Sequence, residues 1–336
     1  MLFEYLDFRE VDREEQIRRC DSSARKALAL FGITNYKIQA VQNFLGENKW
    51  RVDCDSGPYL LIMSYPVKLW DFAPSVAYLE SQLLWMLYLE EEVGVTLQTP
   101  QRNEEGELVS TVRLLDGDLQ CALLKWVEGE AVSMTSLKDA ENIGKLSARI
   151  HEGTQKWKPE REIVRRQWNL KAMEESSERL KRLFSLGRIE PNRFSIIEGC
   201  MNKVLQMWQG ADGLKCSITH QDYHPGNCLK QERDYRPIDF EGSGVCPQLW
   251  DLALTLGYWR RKNLFGNTEK CLNGYTSIIP LQSRHIELLE AFVVGSIVCK
   301  AWAKLEDDPS LSFKQFDRYN QSIFAPFLSG KPFLTG

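Results

Sequence analysis

Near residue 127 the hydrophobic pattern of the chain passes from mostly strand-like to mostly helical, and that change limits the fold more than any single motif does. Before it, residues 36–41, 50–54 and 59–63 read as strands, with Asp55-Ser56-Gly57-Pro58 as a hairpin turn. Residues 77–93 then place Tyr78, Leu79, Leu83, Met86, Leu87 and Leu89 at helical spacing after Pro74-Ser75. Two more strands are expected at 108–115 and 119–127, about the turn Asp116-Gly117-Asp118. Beyond Glu128-Gly129-Glu130 the text is helical over 137–151, 170–184, 194–209, 248–258, 271–275, 283–305 and 313–327. There only 218–219, 227–230 and 236–240 read as extended. The expected fold class is α+β with two lobes, which suits 336 residues. The N-terminal lobe, residues 1–127, holds a five-stranded antiparallel sheet, one helix and a leading helical segment. The C-terminal lobe, residues 128–336, is larger and mainly helical.

Charge and cysteine usage narrow the class of partner. A formal net charge of −4 lacks the clustered basic excess of proteins that coat phosphate backbones, so no nucleic acid is expected. The nine cysteines are scattered and never form Cys-x-x-Cys, which fits reduced thiols in a cytoplasmic protein. Acids near the amino terminus replace the basic region of a signal peptide, and no apolar run spans a bilayer, so no membrane is expected.

The densest polar chemistry is His220-Gln221-Asp222-Tyr223-His224-Pro225-Gly226-Asn227, followed by Ile238-Asp239-Phe240-Glu241. Asp or Asn alone is a common turn residue, but two spaced five apart, with a further Asp ending a hairpin, make a constellation. One reading sets His220, Asp222 and His224 at alternate positions as zinc ligands of a hydrolase, although Pro225-Gly226 favours a turn there. The other is a likeness. The segment resembles the catalytic loop and metal-binding segment of the aminoglycoside phosphotransferase and choline kinase-like superfamily, relatives of protein kinases. The resemblance implies a protein-kinase-like fold that uses ATP and Mg²⁺ to phosphorylate a hydroxyl of a small molecule. It implies Asp222 as the catalytic base, Asn227 and Asp239 as oxygen ligands of the metal, and His220 as an anchor of the loop.

Looser similarities follow in the same order along the chain. Residues 124–130 resemble the connector whose backbone receives adenine, with Lys125 and Val127 at the contact; residues 143–151 resemble the first helix beyond it. His151 there reads as a buried helix-end residue, and Asp251 in Trp250-Asp251-Leu252-Ala253 as a structural partner of loop backbone. Phe44-Leu45-Gly46-Glu47-Asn48 stands where the phosphate loop belongs, with Gly46 and Asn48 its candidate contacts. The strand lysine of the superfamily is replaced by Ile62, and its helix glutamate aligns with Gln82. Lys49 and Arg51 project to one face of the neighbouring strand, so either one is a candidate for the phosphate contact. The alternative is a nucleotide-binding regulator without turnover. The acceptor is expected near Trp259, Arg260, Arg261, Trp302, Glu306, Asp307 and Asp308, where aromatics with acids suit an amine or sugar and arginines suit a carboxylate or phosphate.

Overall fold

The computed structural model describes residues 13–44, 47–64, 75–114, 117–211, 213–307 and 316–334. Two compact units emerge, one of residues 1–128 with 158–165 and one of residues 129–157 with 166–336. The fold is the α+β, two-lobed class that the period change implies.

The first unit opens with helix α1 (Arg13–Leu30) and strands β1 (Tyr36–Phe44), β2 (Glu47–Cys54) and β3 (Gly57–Ser64). Helix α2 (Val76–Glu91), β4 (Pro100–Gln101), β5 (Ser110–Leu114) and β6 (Gly117–Lys125) follow. The sheet runs β1-β2-β3-β6-β4, with β5 also paired to β6. It has six strands where five are read from the sequence, because β4 is two residues long and begins at an edge proline, which leaves no periodic signal. Alternation decides what each face does. Trp50, Val52, Leu61, Met63, Cys121 and Leu123 form one core with Ala24, Ala27 and Leu28 of α1. Lys49, Arg51 and Ile62 therefore lie on the other face, and the register puts Lys49 directly opposite Ile62.

Residues 158–165 return to this unit through three anchors on α2. Arg161 pairs with Glu80 at 2.7 Å, the Val164 N–H donates to Ser81 Oγ at 2.9 Å, and the Arg165 guanidinium sits 3.8 Å from the Tyr78 ring centre.

The second unit holds β7 (Glu130–Ala131), α3 (Leu137–Thr154), α4 (Leu170–Ser185), α5 (Pro191–Gln209) and β8 (Cys216–Thr219). Next come the hairpin β9 (Cys228–Gln231) and β10 (Asp234–Pro237), then β11 (Gly244–Pro247), α6 (Gln248–Arg260), α7 (Phe265–Thr276) and α8 (Ser283–Asp307). A π-helical turn, Asn320–Phe324, and the short helix α9 (Ala325–Leu328) close it. β7 joins the hairpin at β9, and β11 pairs with β8. Helix α6 is buried almost all round, consistent with its apolar sequence on every side. Trp250 of α6 stacks on Trp168 at 5.5 Å and meets Trp208 and Phe292, which fixes the helix that follows the reacting segment. No helix among the described residues is long and apolar enough to cross a membrane.

Candidate active site

The loop between β8 and β9 carries Asp222 and Asn227, and the turn after β10 carries Asp239. Two contacts bind the two segments together. The Ile238 N–H donates to the Asn227 carbonyl at 3.0 Å, and the Ile238 carbonyl lies 3.0 Å from His220 Nε2. Gly242 passes beside them, where a Cβ would lie 3.7 Å from that of Asp222. His220 is thus a loop anchor, buried against Phe240 and Tyr223. The loop is held from below as well. Asp251 of α6 accepts the Gln221 N–H through Oδ1 and bonds His151 Nε2 through Oδ2 at 2.8 Å, while His151 Nδ1 lies 3.0 Å from the Tyr275 hydroxyl. One buried carboxylate therefore ties α3, α6 and α7 to the loop.

Within this frame the polar groups have fixed directions. Asn227 is buried, and its Nδ2 donates both to the Asp222 carbonyl at 2.9 Å and to Asp222 Oδ2 at 3.1 Å. The amide nitrogen is consumed, so Asn227 Oδ1 is left as an oxygen donor. The Asp222 side chain is half exposed, and its Oδ1 makes no hydrogen bond to a described residue. Gln221 and Asp239, which flank the pair, both take left-handed backbone conformations, with φ of 61° and 67°. Non-glycine residues adopt that region at a cost, and such positions concentrate at functional sites.

The zinc arrangement does not form. His220 is turned to Ile238, whereas His224 stacks on Tyr258 at 4.3 Å with its Nε2 3.7 Å from Asp222 Oδ2. Among the described residues no three His, Cys, Asp or Glu side chains group as a metal site.

The expected nucleotide contacts sit in the first unit. Gly46 lies outside the described residues, as does the Asn48 side chain. Lys49 is 6 % exposed, and Ile62 opposite it and Gln82 on α2 are buried too. Arg51 pairs with Asp53 at 3.0 Å, approaches Glu128 at 3.9 Å and covers Trp126 at 4.7 Å. In the connector the N–H groups of Lys125 and Trp126 are taken by Thr99 and Pro58, and the Lys125 side chain is exposed. The Val127 N–H has no partner among the described residues.

Two of the expected acceptor contacts prove structural. Trp259 is fully buried with Nε1 donating to the Met134 carbonyl, and Arg260 is buried against the carbonyls of Phe333 and Ser322. Asp308 and the side chains of Trp302, Glu306 and Asp307 lie outside the described residues. Arg261 is the one within electrostatic range of the reacting loop: it interacts with Asp222, Tyr258 and Tyr319. Tyr258 carries no signal in the sequence, because a tyrosine on an apolar helix reads as packing.

Similar architecture recurs in solved structures. Amicoumacin kinase hAmiN, in complex with AMP-PNP, Ca²⁺ and Ami, matches with a TM-score of 0.73 at 14 % identity over 97 % of this chain and 98 % of its own. A microcompartment-associated aminopropanol kinase gives 0.69 at 17 % identity over 90 % and 98 %. Plasmodium vivax ethanolamine kinase gives 0.61 at 11 % identity over 94 % and 91 %. No curated protein matches the sequence. A model of the phosphotransferase enzyme family matches residues 40–271, well over half of the chain and all of the segment carrying Asp222, Asn227 and Asp239, and the chain therefore belongs to that family.

Proposed function

We propose that the protein transfers the γ-phosphoryl group of ATP to a hydroxyl of a small molecule. The observation that carries this reading is the lock between Asn227 and Asp222: one bifurcated amide fixes the carboxylate that faces the acceptor and aims an oxygen donor the other way. Family membership and the small-molecule kinases of similar fold support it.

In this reading Asp222 Oδ1 accepts a hydrogen bond from the acceptor hydroxyl and takes its proton as the oxygen attacks phosphorus. The new O–P bond forms as the bond to the β–γ bridging oxygen breaks, and that electron pair leaves with ADP. Oδ2 stays held by Asn227, so the base does not rotate out of line. Asn227 Oδ1 and the Asp239 carboxylate form a hard-oxygen pair that fits Mg²⁺. When bound, that ion supplies positive charge against the polyphosphate. The Val127 N–H is the connector group assigned to adenine, and Lys49 is assigned to the phosphates.

The test is ADP release against a panel of hydroxylated compounds, with Asp222→Asn beside the parent. Loss of the base should lower turnover on the order of 10²–10⁴-fold while Mg–ATP affinity stays within severalfold. Near-normal turnover in the variant defeats the assignment.

A further inference from the structure

The surroundings of Asp222 carry a charge pattern that bears on the acceptor. Arg261 follows α6 directly, and its guanidinium folds back along the helix, so that a Cβ on Gly257 would meet its Nη1 at 3.1 Å. The side chain is partly buried and makes no hydrogen bond or ion pair with a described residue. Burial lowers its pKa below the usual guanidinium range, while Tyr319, Asp222 and Tyr258 act in the opposite direction. A guanidinium is a five-donor fork, and withdrawing it from water without hydrogen-bond acceptors is unfavourable.

Tyr258 forms the adjacent wall. Its ring already bears the stacked imidazole of His224, with the Lys262 ammonium 4.9 Å from its centre. It is not an open aromatic face for a further cation. Asp222 is the carboxylate that interacts electrostatically with Arg261, and it is engaged with the reacting hydroxyl in the function proposed above. An ammonium placed here would meet Arg261 and Lys262 as like charges. An oxyanion would instead satisfy the fork of Arg261, with Lys262 at the rim.

We propose that the acceptor is anionic: it carries a carboxylate or phosphate beside the hydroxyl that receives the phosphoryl group, and Arg261 binds that anion. The assignment rests on the phosphotransferase reading and deepens it. The reaction is unchanged, the hydroxyl proton passing to Asp222 and the bridging electron pair leaving with ADP. Among the solved structures of similar fold are kinases of aminopropanol and ethanolamine, so charge is the property by which this acceptor would differ from theirs.

The experiment compares ADP release with four size-matched sets: hydroxy acids, sugar phosphates, neutral polyols and amino alcohols. Background hydrolysis of Mg–ATP is measured alongside. The expected result is the highest kcat/KM in one of the two anionic sets, and which one it is separates carboxylate from phosphate. Arg261→Gln should raise the KM for that acceptor at least roughly tenfold, the size of one lost charge-assisted contact, and leave the KM for ATP unchanged. Arg261→Lys keeps the charge without the fork and should fall between, and Lys181→Met serves as the distant control. A neutral or amine acceptor with the highest kcat/KM overturns the assignment, as does an Arg261 variant that alters the KM for ATP instead. Mg–ATP hydrolysis without transfer to any anionic compound overturns the anion and leaves the phosphotransferase standing. Absence of any Mg–ATP-dependent activity overturns both.

Discussion

A lysine moved one strand sideways keeps its charge on the same face of the sheet. Directly opposed residues on antiparallel strands lie about 4.5–5.5 Å apart at Cβ, less than the reach of a lysine stem, so Lys49 can deliver an ammonium where a lysine at position 62 would. Ile62 then fills its place with apolar volume. Gln82 engages Arg165, its Oε1 3.5 Å from Nη1, and neither half of the usual ion pair is left behind as a buried, uncompensated charge. Arg51 has the same orientation but lies partly exposed beside Asp53, Glu128 and Trp126, whereas Lys49 is buried. Lys49→Met should therefore weaken Mg–ATP binding by at least tenfold, the equivalent of ~1.5–3 kcal/mol for a charge-assisted contact, as read by calorimetry. Arg51→Met should stay near the Lys181→Met control. If Lys49→Met binds as the control does, the relocated cation is wrong, and a nucleotide-binding regulator without turnover becomes the better account.

At the level of elements, α3 and α7 approach so closely that each presents a glycine to the backbone of the other. A Cβ on Gly144 would overlap the Cys271 carbonyl oxygen, and one on Gly274 would overlap that of Glu141. Gly144→Ala cannot be absorbed by a rotating side chain, so the helices must part. The expected cost is about 1–3 kcal/mol, measurable as a lower urea midpoint, and turnover per folded molecule should fall because His151 of α3 supports Asp251 and through it the Gln221 N–H. Helix α3 was legible, since Ile143, Leu146 and Ile150 keep a 3.6-residue period, and α7 in part, over 271–275 of Phe265–Thr276. Their crossing was not, because a glycine in a helical pattern does not name the neighbour that needs it. The same divide runs through the site. Asp222, Asn227 and Asp239 stood out as candidates through the resemblance their types and spacing carry, and the same likeness pointed to Asp251 as a partner of loop backbone, which its bond to the Gln221 N–H matches. Strand β11 was missed: four residues bounded by glycine and proline, with one strand former, Val245, between them, are too short for a periodic signal, and pairing with β8 makes them extended. Trp259 and Arg260 could not be sorted between packing and acceptor contact, since sequence does not say which way each residue of a helix turn faces.

For the whole molecule, ligand binding and folding are linked. A nucleotide that binds only the native protein should raise the thermal midpoint, by the equivalent of ~2.7 kcal/mol when present at a hundred times its Kd. With ATP this rise should require Mg²⁺ in the parent and vanish in Asp239→Ala; a rise of equal size without Mg²⁺ counts against Asp239 as a metal ligand. The left-handed backbone at that same residue, with φ of 67°, has a further consequence. Glycine is the side chain that the backbone geometry alone prefers there, and Asp239→Gly should relax strain of roughly 1 kcal/mol while erasing the carboxylate. With Asp239 in its proposed role as metal ligand, selection for heat resistance and selection for turnover should pull this one codon in opposite directions. A laboratory-evolution campaign scored only on melting temperature should then enrich glycine at position 239, and recovery of aspartate alone would count against the strain.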